Sequence, residues 1–209
     1  ADLAENIERH EIGLDAARPE AVAKRRNRGH RTARENIADL CDPDSFVEYG
    51  ALVLAAQRQR RSLDDLMKNA PADGMVAGFG RVNGDQFGHD RARCIVMSYD
   101  YMVMAGTQGF KNHYKKDRMF ELAEKWQLPV VFFAEGGGGR PGDTEWSSPA
   151  GLDVPAFYLW GKLSGLVPMV GITTGRCFAG NAVILGCCDV IIATEGSNIG
   201  MGGPAMIEG

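Results

Sequence analysis

The stretch PVVFFAEGGGGRPGD, residues 129–143, decides the fold prediction for this chain. Its first part, VVFFA, is a continuous apolar run, which is typical of a strand buried on both faces of a sheet. Four consecutive glycines, residues 136–139, follow after Glu135. Glycine loses more conformational freedom on folding than any other residue. A run of four therefore indicates that bare backbone is needed at the end of this strand.

The same unit recurs further along the chain. VPMVGITTG, residues 167–175, is a second apolar run that ends in glycine, and GRCFAGNAVILG, residues 175–186, adds a glycine turn and a helix of small residues. DVIIAT, residues 189–194, is expected to be a third buried strand, and a further helix is expected within residues 152–163. A repeat of strand, glycine turn and helix predicts α/β layering with largely parallel strands and right-handed crossovers.

The segment before this repeat has a different pattern. CDPDSFVEYGALV, residues 41–53, predicts a turn and then a strand, while residues 73–86 and 93–103 predict a β-hairpin with Asn83-Gly84 in its turn. FKNHYKKDRMFELAEKWQ, residues 110–127, predicts an amphipathic helix. Its buried stripe is expected to contain six residues: Phe110, Tyr114, Met119, Leu122, Ala123 and Trp126.

The first forty residues are polar and helix-prone. Residues 19–40 carry a basic face of Lys24, Arg25, Arg26, Arg28, Arg31 and Arg34. Such a face is either a solvated helix surface or a surface for phosphate groups or a partner chain. Nucleic acid is the weakest of these interpretations, because the aromatic residues of a base-stacking surface are missing.

Composition limits the class of protein to which the chain can belong. The chain has 209 residues and a net charge of -4, which is typical of a globular domain with a substantial core and not of a polyanion-binding protein. Five cysteines have no metal-ligand spacing, and no signal peptide is recognisable, so we expect reduced thiols, no metal and a cytoplasmic location. No apolar run approaches the ~18 residues of a membrane span. The glycine-rich end GPAMIEG predicts that the chain is a piece of a longer protein.

The two glycine turns indicate a site for negative charge. Peptide N–H groups at a helix start lack internal partners, and glycine lets a ligand approach them closely. A phosphate loop is disfavoured, because the chain has no G-x-x-x-x-G-K-[ST] and EGGGGRPGD is not a dinucleotide fingerprint. An oxyanion that forms during a reaction is the other candidate. The alternative is that the glycines only form turns.

Side chains for nucleophilic catalysis are not evident. None of the four histidines follows a predicted buried strand, and Ser147 and Ser148 lack a G-x-S-x-G context. Cys177 lies beside the second turn, where a small apolar filler is the favoured role. The pattern therefore favours backbone donors acting on a substrate whose own carbonyl becomes an enolate.

Several of these motifs together resemble a known family. RNRGHRTARENIADLCDPDSFVEYGAL resembles the opening of carboxyltransferase β subunits of biotin-dependent acyl-CoA carboxylases, and ADGMVAGFGRVNG resembles their DGVV-G-G-V-G hairpin. EGGGGR and GRCFAGNA lie where most members carry Ser-Gly-Gly-Ala-Arg and Gly-Pro-Cys-Ala-Gly-Gly-Ala. The resemblance runs from about Ala21 to the end. Glu135 in place of serine, Asn181 in place of glycine and an extra residue near Phe178 mark a divergent branch.

The resemblance implies a crotonase-like α/β fold of repeated β-β-α units. It divides the chain into a helical N-terminal segment, residues 1–44, and the N-domain of a carboxyltransferase, residues 45–209. Family chains are roughly twice as long and contain a second such domain, so this half is expected to be inactive when isolated. It also lacks the Met-Lys-Met motif of a biotin carrier.

The resemblance also implies a reaction and its residues. A separate carrier delivers carboxybiotin, carbon dioxide is released, biotin takes the α-proton of the acyl-CoA, and the enolate attacks the carbon dioxide. Backbone N–H groups of Gly137, Gly138 and Gly180, then Asn181, are the expected oxyanion donors. Arg140 is expected to position a phosphate or to pair with Glu135. Lys111, Lys115 and Lys116 are expected either to bind CoA phosphates or to form a solvated helix face.

The expected partners are the C-terminal carboxyltransferase half, the biotin carboxylase and the biotin carrier, within a homo-oligomer. Two other functions stay open. A crotonase-type acyl-CoA hydratase or decarboxylase would use the same glycine turns with Glu135 or Asp143 as acid–base group. A non-catalytic assembly module would use the glycines for structure alone.

Overall fold

The computed structural model describes residues 2–140, 142–145 and 154–203. A helical N-terminal segment precedes a part in which strands and helices alternate. The helices are α1 (Asp2–Ile12), α2 (Pro19–Arg26), α3 (Ala33–Leu40), α4 (Leu63–Asn69), α5 (Gly84–Phe87), α6 (Phe110–Trp126), α7 (Ala156–Leu163) and α8 (Gly180–Gly186). The strands are β1 (Val47–Glu48), β2 (Met75–Arg81), β3 (Arg93–Tyr99), β4 (Val130–Phe133), β5 (Gly136–Gly137), β6 (Met169–Thr173), β7 (Arg176–Phe178), β8 (Val190–Ala193) and β9 (Asn198–Gly200).

Two sheets organise the described residues. The larger has the strand order β1-β2-β3-β4-β6-β8, and the smaller has the order β5-β7-β9. Strands β1 to β3 pair antiparallel, whereas β3, β4, β6 and β8 pair in parallel. Three strands of the larger sheet, β4, β6 and β8, are each followed by a short strand of the smaller sheet, β5, β7 and β9. The predicted α/β fold with repeated β-β-α units is confirmed.

Alternating side chains place a core on each face of the larger sheet. One face carries Ile95, Met97, Val130 and Phe132, which belong to a core cluster shared with α6, α7 and α8. The opposite face carries Val96 and Phe133 and packs on α3. Strand β4 is therefore covered on both faces, as its continuous apolar run predicts. In the first core, the rings of Phe120 and Trp160 lie 4.7 Å apart.

The N-terminal segment folds as separate short helices and not as one basic face. Thr32 begins α3 with a capping box, in which its hydroxyl accepts from Glu35 N–H and the Glu35 carboxylate accepts from Thr32 N–H. Several basic side chains are in ion pairs: Arg26 with Glu35, Arg31 with Asp39 and Arg34 with Glu48. The division of the chain at residue 44 stays a prediction, although α3 packs directly on the sheet.

Two predictions for the middle of the chain need correction. The strands β2 and β3 form the predicted hairpin, but their connection is longer than a two-residue turn and contains α5. Helix α6 is present, but Tyr114 and Trp126 are more than half exposed. Its buried face instead includes Asn112, Lys115, Lys116, Met119, Phe120, Leu122 and Ala123. This face therefore mixes polar and apolar side chains.

The third apolar run is also different from the prediction. Strand β8 pairs in parallel with β6, but all four of its residues are exposed among the described residues. Among the described residues, β8 is the edge strand of the larger sheet, and no described element covers its side chains on either face. The helix expected within residues 152–163 is α7, which begins at Ala156. Residues 152 and 153, like Ser147 and Ser148, lie outside the described residues.

Candidate active site

The two glycine turns lie side by side. Strand β5 pairs in parallel with β7, with Gly136 opposite Cys177 and Gly137 opposite Phe178. Because β5 follows β4 and β7 follows β6, the carboxyl ends of two neighbouring parallel strands lead into adjoining turns. The two glycine turns are therefore adjacent in the structure. Their backbone groups can therefore act on one ligand.

Close packing requires glycine in the first half of the run. Gly136 has φ +81°, and a Cβ there would lie 2.6 Å from the Cα of Gly106. A Cβ on Gly137 would lie 2.7 Å from the carbonyl carbon of Phe178. The turn-forming interpretation therefore accounts for these two glycines. Gly138 is different: it has φ +81°, yet no described atom lies within 4 Å of the place of a Cβ.

The second turn combines a strained residue with a close contact. Ala179 has φ 49° and ψ -125°, in a region that residues with a side chain rarely adopt. Gly180 follows as the first residue of α8. A Cβ on Gly180 would lie 2.6 Å from Gln108 Nε2 and 3.0 Å from Phe157 Cζ. The side chain of Gln108 therefore packs directly against the start of this helix.

Asn181 ties the two turns together through its side chain. Its Nδ2 donates to the carbonyl oxygens of Glu135 at 2.8 Å and Gly106 at 3.1 Å, and its Oδ1 accepts from Gln108 Nε2 at 2.6 Å. The residue is fully buried. The side chain, which replaces the hydrogen of the usual glycine, thus holds the start of the first turn against the second. Its own backbone N–H stays a predicted donor.

Lys116 extends this network into the core. Its Nζ donates to Gln108 Oε1 at 3.1 Å and to Tyr99 Oη at 2.8 Å. Burial lowers the pKa of Lys116 to about 7 and raises the pKa of Tyr99 well above its usual value. Gln108 therefore connects a buried amine to the second glycine turn. Sequence analysis did not single out Gln108, which lies in no recognisable motif.

The three predicted CoA-binding lysines do not share one environment. Lys115 donates to the carbonyl oxygens of Ala72 and Met75 inside the protein, and burial lowers its pKa to about 8. The solvated-face alternative is therefore wrong for Lys115 and Lys116. Phosphate binding by these two stays a prediction that would require each amine to leave its protein partners. Lys111 is half-buried in the first turn of the helix, over the rings of Phe110 and Tyr114.

Each end of the glycine run is held by a buried ion pair. Glu135, directly before the run, pairs with Arg25 of α2. Arg140, directly after it, pairs with Asp73 and lies 3.7 Å from Asp143. The predicted pairing of Arg140 with Glu135 is therefore wrong, because each residue finds a nearer partner of opposite charge. Burial raises the pKa of Asp73 although Arg140 acts in the opposite direction.

A basic cavity lies between α2 and the first glycine turn. Its volume is about 580 Å³, and its lining carries more positive than negative side chains: Lys24, Arg25, Arg28, His30, Arg176 and Glu135, with Tyr101 and Met102. A Cβ on Gly175 would be 3.3 Å from His30 Cε1 and closer than 3.0 Å to Glu135 Oε1. Lys24, Arg25 and Arg28 belong to the basic residues identified from the sequence, and Arg176 belongs to the second glycine turn, but no role was predicted for Arg176 or His30.

Other side chains give little support to conventional nucleophilic or metal chemistry. Cys177 is fully buried in the core, and burial raises its pKa to about 12, in agreement with a packing role. Burial also lowers the pKa of His113 to about 3. Within residues 2–140, 142–145 and 154–203, no group of three or more His, Cys, Asp or Glu side chains could hold a metal ion. No helix in these ranges is both long and apolar enough to cross a membrane.

Comparison with known proteins identifies a family. The family model described as the carboxyl transferase domain matches residues 24–209. The biotin-dependent long chain acyl-coenzyme A carboxylase beta4 subunit of Mycobacterium tuberculosis is 36% identical over 182 residues, which cover 87% of this chain and 31% of that protein. The chain spans about a third of the length of the curated relatives it matches.

Solved structures agree with this result. A single-chain, multi-domain long-chain acyl-CoA carboxylase has a TM-score of 0.94 and 64% sequence identity, and the match covers 100% of this chain and 20% of that one. Transcarboxylase 12S, a hexamer, has a TM-score of 0.76 and 31% identity, over 99% of this chain and 38% of that one. The described strands and helices thus have the crotonase-like fold of carboxyltransferases.

Proposed function

This chain belongs to the carboxyl transferase domain family, and from that membership we propose that it binds acyl-CoA as part of the carboxyltransferase of a biotin-dependent acyl-CoA carboxylase. The observation that carries the proposal is the parallel pairing of β5 with β7, which brings the two glycine turns together. The transcarboxylase 12S structure, which was solved with methylmalonyl-coenzyme A bound, supports acyl-CoA as the ligand class.

The proposed role of the turns is to stabilise the enolate of the acyl-CoA. Gly138 follows β5 with open space beside its Cα, and Gly180 presents its N–H at the start of α8. Both N–H groups are proposed to donate to the thioester oxygen as negative charge develops on it. Losing one donor of this kind commonly costs ~3 kcal/mol of transition-state stabilisation. Gly137 and Asn181 are proposed as the neighbouring donors.

The basic cavity also supports acyl-CoA as the ligand class. Lys24, Arg28 and Arg176 line it next to the first glycine turn. We propose that these cations, together with Lys111 of α6, attract the phosphate groups of CoA. Arg140 is proposed to act indirectly, because its pairing with Asp73 fixes the end of the glycine run.

Carboxybiotin, when bound, supplies the carboxyl group, and we propose that it reaches the site on a separate carrier. The residues described here are assigned to the acyl-CoA side only. The C-terminal carboxyltransferase half, the biotin carboxylase and the carrier are the proposed partners, in a cytoplasmic oligomer. On this proposal the isolated 209 residues catalyse no carboxyl transfer.

The hydratase or decarboxylase alternative is weaker. It requires an acid–base carboxylate at the turns, and both candidates have other partners. Glu135 pairs with Arg25, while Asp143 accepts from Gln57 Nε2 at 2.9 Å and from Phe110 N–H at 2.7 Å. The assembly-module alternative accounts for Gly136 and Gly137, but it gives no role to the open backbone at Gly138 or to the adjoining basic cavity.

Gly180 offers a matched test of the proposed donors. Gly180→Ala and Gly180→Pro both place a Cβ near Gln108, but only proline removes the N–H. In the enzyme that contains this chain, we expect Gly180→Pro to lower the rate of avidin-sensitive acyl-CoA carboxylation about a hundredfold further than Gly180→Ala does.

Three outcomes separate the candidate functions. Equal rates for two folded variants would refute the donor role of Gly180. Turnover of enoyl-CoA or malonyl-type substrates without avidin sensitivity would favour the hydratase or decarboxylase. A failure of the wild-type protein to bind acyl-CoA in calorimetric titration would favour the assembly module.

A further inference from the structure

The glycine run has no side chains of its own to fix its direction. The residue directly before the run is held by other segments. Asn181 Nδ2 donates to the carbonyl oxygen of Glu135, and a Cβ on Gly106 would lie 2.7 Å from that same oxygen. The orientation of the N–H groups in the run therefore depends on the position of Glu135.

The carboxylate of Glu135 is held in place by α2 of the N-terminal segment. It pairs with Arg25, and the two side chains are only 8% and 6% exposed. Its Oε1 lies so close to Gly175 that a Cβ there would approach within 3.0 Å. The Glu135 side chain thus fills the space between α2 and the residue before β7.

Arg25 is itself held rigidly by further contacts. Its Nε donates to the carbonyl oxygen of Arg31 at 2.9 Å, and its guanidinium lies 5.1 Å from the centre of the Tyr101 ring. Arg25 and Val22 are the buried residues of α2. The guanidinium is therefore a fixed point to which the start of the glycine run is attached.

We propose that Arg25 and Glu135 form a positioning pair, in which Arg25 acts through the Glu135 carboxylate to orient the N–H donors of the glycine run. This inference rests on the proposed function for its effect on turnover. Removing one partner leaves a buried charge uncompensated, which is strongly destabilising locally. A carboxylate without Arg25 would turn towards the solvent of the cavity and move the adjoining backbone.

The pair can be dissected because glutamine keeps an acceptor without the charge. In the enzyme that contains this chain, Arg25→Met is expected to lower kcat about ten- to a hundredfold, since small displacements of catalytic groups have effects of this size. KM for acyl-CoA is expected to change less than threefold. Glu135→Gln is expected to keep kcat within about threefold of wild type, because its amide oxygen can still accept from Arg25 and hold residue 135 in place. Its cost is expected in stability, since the charge of Arg25 is then uncompensated.

The double variant gives the decisive comparison. Arg25→Met/Glu135→Gln has no unpaired buried charge, so we expect it to recover at least about fivefold in kcat over Arg25→Met. Arg118→Gln, which breaks the exposed ion pair of Arg118 with Glu121 on α6, is the control and is expected to keep wild-type kcat. Circular dichroism checks that each variant is folded.

Hydrogen exchange provides a second measurement that does not depend on turnover. Arg25→Met is expected to speed exchange of the amides of residues 135–140 about tenfold, whereas Arg118→Gln leaves them unchanged. If wild type shows no avidin-sensitive carboxylation, the proposed function fails, and the exchange rates still decide whether Arg25 fixes the run. A double variant no better than Arg25→Met, or unchanged exchange in Arg25→Met, would overturn the inference. A loss of orders of magnitude in Glu135→Gln with a shifted pH profile would make Glu135 an acid–base group instead.

Discussion

Alanine substitution along the glycine run should give a graded loss of stability. The four glycines are adjacent, but their surroundings differ. Gly136 has φ +81°, and a Cβ there would collide with backbone. Gly138 also has φ +81°, but no other described segment lies within 4 Å of the place of its Cβ. Gly139 likewise has no described segment within 4 Å, and its φ is not positive. The three positions thus separate the cost of backbone conformation from the cost of a collision.

The expected loss of stability at each position is the sum of these two costs. An L-residue in the left-handed region costs about 1–2 kcal/mol, and forcing extra volume into a packed site costs about 1–3 kcal/mol. Gly136→Ala carries both costs and should lose about 3 kcal/mol. Gly138→Ala carries only the cost of the backbone conformation and should lose about 1–2 kcal/mol of stability. Gly139→Ala should be neutral or gain about 0.5 kcal/mol, because alanine restricts the unfolded chain.

Urea denaturation of the wild type and the three variants measures these free energies of unfolding. Equal m-values across the series would show that the variants unfold from the same compact state. The reasoning would be refuted by equal losses at all three positions, or by a greater loss for Gly139→Ala than for Gly136→Ala. Gly139→Ala is the matched control, since it changes the same residue type three positions away.

Two other perturbations test the buried charges. Asp73→Asn leaves Arg140 with only the more distant carboxylate of Asp143, at 3.7 Å, at a site where all three side chains are at most 3% exposed. The free energy of unfolding should therefore fall by about 3 kcal/mol, the lower end of the cost of breaking a buried pair; a loss below about 1 kcal/mol, as for an exposed pair, would contradict this. The lowered pKa of Lys116, about 7 against 10.5, means that the folded state binds fewer protons than the unfolded state between these pH values. The contribution of Lys116 to stability should therefore rise with pH across this window, and Lys116→Met should remove that contribution, while Lys115, whose pKa is also lowered to about 8, keeps its own. A slope of stability against pH that is the same in wild type and Lys116→Met, measured by denaturation from pH 7 to 10, would disprove it.

The parts of the fold that sequence predicted are those set by local patterns. The apolar run before Glu135 and the glycines after it indicate a buried strand and a tight turn without any knowledge of the rest of the chain. The same holds for the second unit at residues 167–186. Two such units on neighbouring parallel strands then bring their turns together, which the pairing of β5 with β7 confirms.

The incorrect predictions concern burial and pairing, which depend on distant residues. A spacing of four drifts about 40° per step around a helix, so Phe110 lies about 120° and Tyr114 about 80° from Leu122, and the spacing does not define one narrow buried stripe. The face that is buried holds lysines 115 and 116, whose amines find carbonyl, hydroxyl and amide partners elsewhere in the fold. An apolar run also cannot show whether a strand lies at the edge of its sheet, as β8 does.

Ion pairing is the other property that the sequence does not display. Glu135 and Arg140 are five positions apart and opposite in charge, which favours the interpretation that they pair with each other. The structure gives each of them a partner from another segment, Arg25 and Asp73. A short-range charge pattern therefore suggested a pairing within this segment and gave no information on partners from distant segments.

The two ion pairs at the ends of the glycine run have a consequence for the order of folding. They join residues 110 and 67 positions apart in the chain. Closing contacts of such long range is slow, because the loop entropy must be overcome before the contact forms. The glycine run can therefore reach its final shape only after α2, which carries Arg25, and the segment before β2, which carries Asp73, have packed against the rest of the fold. Fraying of α2 alone would disorder the run while the core stays folded, so the site and the core need not lose their structure at the same temperature.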